Sequence, residues 1–249
     1  MMEIIVFIFG AAIGSFINVV VYRLEQEKSF IFGRSACPRC QKKIAWYDNI
    51  PLLSFAILRG RCRHCRQPIA WQYPAVEFAA GAIFLWLFFL FGVNAQAVAL
   101  AVFSGFLLAI FVYDLKHLQI PDAISLPAMA VALFVNLYLG LGLINLLLGA
   151  AVGAGFFALQ YFVSRGRWVG DGDIRLGALM GLMLGYKYLL VALFLAYIIG
   201  SVFAILVLAA KKFKMSSPVP FGPFLALGTL ITFLYGAQIL AWYLNFLFL

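Results

Sequence analysis

The sequence predicts an all-α polytopic membrane protein of about eight transmembrane helices, with one sizeable polar segment between the first two. Three observations predict it. Of the 249 residues, 65% are hydrophobic and 11% charged, with a mean hydropathy of +1.04; no water-soluble core can take up so much Phe and Leu without exposing it. The apolar runs are long and continuous, not alternating, and a chain in lipid must satisfy its backbone groups internally, so helices are expected and not a barrel. The basic residues flank the apolar runs, so the net charge of +9 reports orientation and not a nucleic-acid partner.

In chain order the expected spans run roughly 3–22, 74–92, 95–114, 123–139, 142–163, 174–186, 188–210 and 221–245. The first lacks a basic leader region, and Arg23 follows its apolar run, so it reads as a retained helix and not a cleaved signal. Gly10, Gly14 and Asn18 recur along it at four-residue spacing, a pattern for close helix packing. The sixth span is too short to cross a core of about 30 Å at about 1.5 Å per residue, so it is expected to begin deep, in a water-accessible cavity. It carries Gly177, Gly181 and Gly185.

With eight spans, 17 of the 18 Lys and Arg fall on one side, leaving only Lys187 on the other. The positive-inside rule makes the basic side cytoplasmic and puts both termini outside. The chain then divides into a first transmembrane helix (1–22), a cytoplasmic polar domain (23–73) and a helical membrane domain (74–249).

The polar domain contains "CPRC" and "CRHC". Cys37 and Cys40 form one C-x-x-C pair, and Cys62 and Cys65 the other. Four thiolates so spaced can fold as two zinc knuckles around a tetrahedral Zn²⁺. A reducing cytoplasm disfavours disulfides; the alternative is reduced, unmetallated thiols. His64 lies inside the second knuckle, but four cysteines already close a site, which makes the metal structural.

Of nine Asp and Glu, five lie near membrane depth: Glu77, Asp114, Asp122, Asp171 and Asp173. Such residues are functional candidates. Asp114 and Asp173 fall at the same membrane face, and two facing carboxylates that share a proton supply an acid and a base at one pH. Other roles stay open at this point. Asp173 can cap a helix, Asp122 can cap the fourth span, Asp114 can pair with Lys116 or His117, and carboxylates also serve ion-coupled transporters. A transporter needs a polar path across both leaflets, whereas these acids cluster on one face. Glu77 can meet a cationic group or pack against Arg23.

The motifs resemble a known family. "GDGD" at 170–173 matches the G-x-G-D signature of intramembrane aspartyl proteases, with Gly170, Gly172 and Asp173 as its fixed members. "GSFINVVVYRL" (14–24), "CPRC", "NIPLLSFAILRGRCRHC" (49–65), "YPAVEF" (73–78), "DLKHLQIPD" (114–122) and "PFGPFLALG" (220–228) follow in the order seen in bacterial type IV prepilin peptidases. The resemblance covers nearly the whole chain. It implies a presenilin-like fold, with 74–249 as the protease domain. It implies cleavage of basic leaders from type IV prepilins or pseudopilins at the cytoplasmic face of the bacterial inner membrane, and N-methylation of the new terminus with S-adenosylmethionine. Asp114 and Asp173 are then the catalytic pair, and Asp122 and Asp171 have no direct chemistry. The segment with Pro218, Pro220, Gly222 and Pro223 resembles the proline-containing loop beside the active site of presenilin-like proteases; a plain helix start is the alternative. No dinucleotide-type glycine motif follows a strand, so methyl transfer rests on the resemblance alone.

Overall fold

The computed structural model describes residues 1–29, 33, 35–210 and 219–247. Pro218 and the basic residues Lys211, Lys212 and Lys214 lie outside them. Among the described residues there are eight α-helices: α1 (Met2–Glu25), α2 (Leu53–Ile57), α3 (Gln72–Phe91), α4 (Ala95–His117), α5 (Asp122–Tyr138), α6 (Leu143–Ser164), α7 (Asp171–Ala209) and α8 (Gly222–Leu247). Six of these are long and apolar enough to cross a membrane, and α5 is a shorter apolar helix. Their exposed residues are themselves apolar, Ile8, Phe89, Phe134, Leu159 and Phe194 among them. This is a multi-pass membrane protein.

The sixth and seventh expected spans are joined in α7, but the helix is broken at Gly185, whose φ of 71° and ψ of 171° are not helical. Only glycine reaches that conformation without strain. The break is stabilised by two asparagines from neighbouring helices. Asn136 on α5 donates to the carbonyls of Leu182 and Met183 at 2.7 and 3.0 Å. Asn145 on α6 accepts from the Tyr186 amide at 3.2 Å. Groups orphaned by the break are thereby paired, as a buried backbone requires. Counting the two parts of α7 separately gives eight apolar helical segments, as expected. The sixth, however, starts at Asp171 and not at 174.

The chain forms two compact units, Met1–Ala109 and Ile110–Leu249. In the first, α1 packs along α3. A Cβ at Gly10 would lie 2.8 Å from the Ala80 carbonyl oxygen, and one at Gly14 would lie 2.7 Å from the Glu77 Cα. Asn18 continues the same face, donating to the Tyr73 carbonyl at 3.1 Å. The spacing read from sequence is thus helix packing. Glu77 is buried and accepts from the Leu52 amide at 2.8 Å, fixing the polar segment to α3.

In the second unit α7 packs against α6, α8 and α5. Its seam with α6 is glycine against glycine. A Cβ at Gly153 would fall 2.1 Å from the Gly177 carbonyl oxygen, and one at Gly181 would fall 2.1 Å from the Gly149 carbonyl carbon. Without a hydrophobic driving force between helices in lipid, such close backbone approach supplies the dispersion contacts. It also holds the first part of α7, and so the GDGD turn, against α6.

Candidate active site and metal centre

Asp114 lies in the penultimate turn of α4 and Asp173 in the first turn of α7. Both are buried, 4% and 7% exposed, and both line one cavity of about 440 Å³ within the second unit. The Gly222 amide at the start of α8 donates to Asp114 Oδ2 at 2.9 Å. The Gly170 amide donates to Asp173 Oδ2 at 2.9 Å. Each carboxylate therefore has one oxygen fixed by a backbone N–H, which orients it without adding a countercharge.

The turn itself follows capping rules. Gly170 is the N-cap of α7, with φ −80° and ψ 163°, and Asp173 is the third helical residue, reaching back to the N-cap amide. Asp173 thus supplies half of a capping box instead of being the cap. The helical capping role and a place in the cavity are compatible, because one oxygen suffices for the cap.

Gly172 answers a different need. Its φ is not left-handed, but a Cβ there would sit 2.9 Å from Ile120 Cβ. Gly172 is absent of side chain so that the 118–121 connection can lie against the turn. Gly222 is similarly constrained, because a Cβ on it would come 2.6 Å from Asp114 Oδ2. Gly170, by contrast, has nothing closer than 3.7 Å. Pro220 and Phe221 line the cavity, while Pro223 lies in the first turn of α8 away from its lining.

Asp122 does not cap α5. The N-cap is Pro121, and there is no side-chain capping bond. The Asp122 carboxylate instead pairs with Arg175, which also binds Asp171 at 2.8 Å. An Arg fork meeting two carboxylates overrode the local capping preference. Arg175 was visible in sequence only as a flanking basic residue; its place two residues after Asp173 was the signal.

Leu118, Ile120, Trp168, Val169, Val219 and Phe221 supply the apolar part of the cavity lining, beside these charged groups.

In the first unit, each C-x-x-C forms the same small turn. The Cys37 amide donates to the Lys42 carbonyl at 3.0 Å, and the Gln41 amide to the Cys37 carbonyl at 2.8 Å. The Cys62 amide donates to the Gln67 carbonyl at 2.9 Å, and the Arg66 amide to the Cys62 carbonyl at 3.0 Å. Gln41 and Arg66 both adopt positive φ, 57° and 58°. One isolated β-bridge closes each knuckle, Ala36 with Lys43 and Arg61 with Pro68.

The four thiols are free, and their sulfurs lie within 4.8 Å of one another. Cys37 and Cys65 sulfurs are 3.8 Å apart. Tetrahedral Zn–S bonds of about 2.3 Å put sulfurs about 3.8 Å apart, so the cluster fits that ion. The backbone amides of Cys65 and His64 lower the Cys62 thiol to about 7. At Cys65 the Gln67 amide pulls down, but burial and the neighbouring thiols of Cys62, Cys40 and Cys37 push the group up to about 11. Arg63 forks onto Asp48 at 2.6 and 2.7 Å, holds that carboxyl below its usual range and ties the second knuckle to the Trp46–Asn49 turn.

Models of the bacterial peptidase A24 N-terminal domain and of the type IV leader peptidase family match residues 8–91 and 101–205. The prepilin leader peptidase/N-methyltransferase of Bacillus subtilis (strain 168) is 33% identical over 97% of each chain. This chain belongs to the type IV leader peptidase family. Another relative of the same name, from Stutzerimonas stutzeri, is 32% identical over 96% of this chain and 92% of its own length. One from Pseudomonas aeruginosa is 31% identical over 95% and 91%. No solved structure matches the chain. The cavity and its two buried aspartates lie in the part of the chain that the leader peptidase model matches, apart from Val219, Pro220 and Phe221. The cysteine cluster lies in the N-terminal match.

Proposed function

We propose that this membrane peptidase cleaves basic leader peptides from type IV prepilins or pseudopilins, with Asp114 and Asp173 as its catalytic pair, and then methylates the new amino terminus. The observation that carries the reading is that two buried carboxylates from distant sequence positions line one cavity, each with one oxygen anchored by a backbone amide.

The chemistry follows from a shared proton. With one carboxylate ionised and the other protonated, a water held between them can be split. The ionised member takes a proton from the water as its oxygen attacks the peptide carbonyl, and the protonated member donates to the carbonyl oxygen. A gem-diol results. The carboxyl that took the water proton then protonates the leaving nitrogen, while the other carboxylate takes a proton from the gem-diol. The C–N bond breaks, a carboxylic acid and an amine leave, and the pair again holds one proton.

The substrate and the methyl step are supported by relatives that carry both activities in their names. S-adenosylmethionine would supply the methyl group. The described residues offer no cradle that identifies its site; Glu77 has one carboxylate oxygen bonded to the Leu52 amide. Zn²⁺ in the cysteine cluster serves structure: Cys37, Cys40, Cys62 and Cys65 would hold it and stabilise a domain with little core of its own. The charge asymmetry supports an inner-membrane orientation with the site facing the cytoplasm.

The test is mass analysis of a prepilin incubated with the purified protein, with and without S-adenosylmethionine. Leader loss is expected in both, and an added methyl group only with the donor. Asp114→Asn and Asp173→Asn should each abolish cleavage while retaining metal. A folded Asp173→Asn protein that cleaves at the wild-type rate would remove the aspartyl reading.

A further inference from the structure

We infer that Arg175 is a positioning residue that sets the separation of the two aspartates; this rests on the aspartyl reading above. Asp114 and Asp173 are 59 residues apart, and the oxygen that each commits to backbone goes to a third place, Gly222 or Gly170. Those bonds orient each carboxylate but do not join one to the other. Beside the packing of α8 on α7, one further set of joining contacts lies just beyond the two aspartates. Leu118–Pro121 leads from the end of α4 to Asp122, the first residue of α5, with Leu118 at a φ of 55°. Ile120 of this connection rests against Gly172. Asp122, immediately after it, is bound by Arg175 Nη1. Nη2 of the same guanidinium holds Asp171 at 2.8 Å.

One side chain therefore clasps the segment leaving Asp114 and the turn containing Asp173. Acid–base chemistry, helix-dipole stabilisation and global stability do not account for it. A guanidinium does not give up its proton, so it cannot serve as acid or base. A cation near a helix N-terminus gains nothing from the helix dipole. Asp122 and Asp171 side chains are 53% and 76% exposed, and ion pairs so open add little to global stability. What the fork does supply is geometry, since two carboxylates on separate elements are fixed by one planar group. Reacting groups misplaced by about 1 Å can lose about 10²-fold in rate, so a contact of small energy can carry a large kinetic effect.

The experiment measures kcat and KM for prepilin cleavage by full-length Arg175→Gln, Arg175→Lys, Asp122→Asn and the double variant Asp122→Asn/Arg175→Gln. Arg175→Gln should lower kcat about 10- to 100-fold with KM within about two-fold. Arg175→Lys, which keeps the charge but not the fork, should fall between it and wild type. The double variant should be no slower than Arg175→Gln alone, because both changes open one clasp. A wild-type kcat in Arg175→Gln overturns the inference. So does a raised KM with unchanged kcat, which would put the guanidinium on the substrate, and so do losses that multiply in the double variant. Metal content and detergent elution check folding; if Arg175→Gln misfolds, Arg175→Lys and Asp122→Asn carry the same kcat test. Asp114→Asn and Asp173→Asn run alongside. If those two stay active, the aspartyl reading fails. If they are dead while Arg175→Gln keeps its kcat, only the positioning role fails.

Discussion

Gly222→Ala isolates the placement of Asp114 from the stability of the fold. A Cβ at 222 would lie 2.6 Å from Asp114 Oδ2 and 3.2 Å from its Cγ. Ordinary heavy-atom contacts lie at about 3.5 Å or more, so the carboxylate must retreat by about 0.9 Å. The retreat strains or breaks the 2.9 Å bond from the Gly222 amide. A hydrogen bond to a charged group contributes about 1.5–3 kcal/mol, but a carboxylate facing a cavity can recover part of that from water. The moving atom is the end of a flexible side chain and residue 222 has no left-handed φ, so the backbone need not shift. Residue 222 opens α8, so the helix-interior penalty of glycine does not apply there. Global stability should therefore stay within about 1 kcal/mol of wild type. Activity should not: a shift near 1 Å at a reacting group predicts a fall of about 10²-fold in kcat. The assay pairs prepilin cleavage kinetics with thermal unfolding in detergent. A stable Gly222→Ala protein with wild-type kcat would refute the reasoning, since Asp114 would tolerate a displacement that the mechanism forbids.

Gly153→Ala tests the α6–α7 seam: its Cβ would meet the Gly177 carbonyl oxygen at 2.1 Å, backbone that cannot step aside, so a loss of about 1–3 kcal/mol is expected in detergent unfolding. Elemental analysis of the purified protein should give about one Zn per chain, and a variant lacking both Cys37 and Cys40 should lose it and become protease-sensitive between the first two spans. Loading that ion should release protons. At pH 8 the Cys62 thiol, near 7, is already mostly ionised, while Cys65, near 11, must give up its proton to bind metal. Calorimetry in two buffers of different ionisation enthalpy should count at least one proton released per ion, with affinity falling as pH drops through 7. Equal heats in both buffers would contradict this.

The sequence by itself determined the membrane class, the helical segments and the pairing of the four cysteines into one cluster. Lipid forces helices on any long apolar run, and the C-x-x-C spacing puts both sulfurs of a pair on one tight turn, so these properties are local and composition shows them. Asp114 and Asp173 were legible as unusual, because acids at membrane depth are costly. Only the tertiary structure decided what surrounds them. The Asp122 sequence context favoured a cap, but an Arg 53 residues away overrode it. Gly172 was legible as a member of the GDGD motif, but its reason, room for Ile120, lies in the packing. Asn136 and Asn145 passed unnoticed inside apolar spans, yet they pair the groups freed at Gly185. In each case the partner is remote in sequence, and the identity of a remote partner depends on how helices pack, which no local pattern of residues encodes.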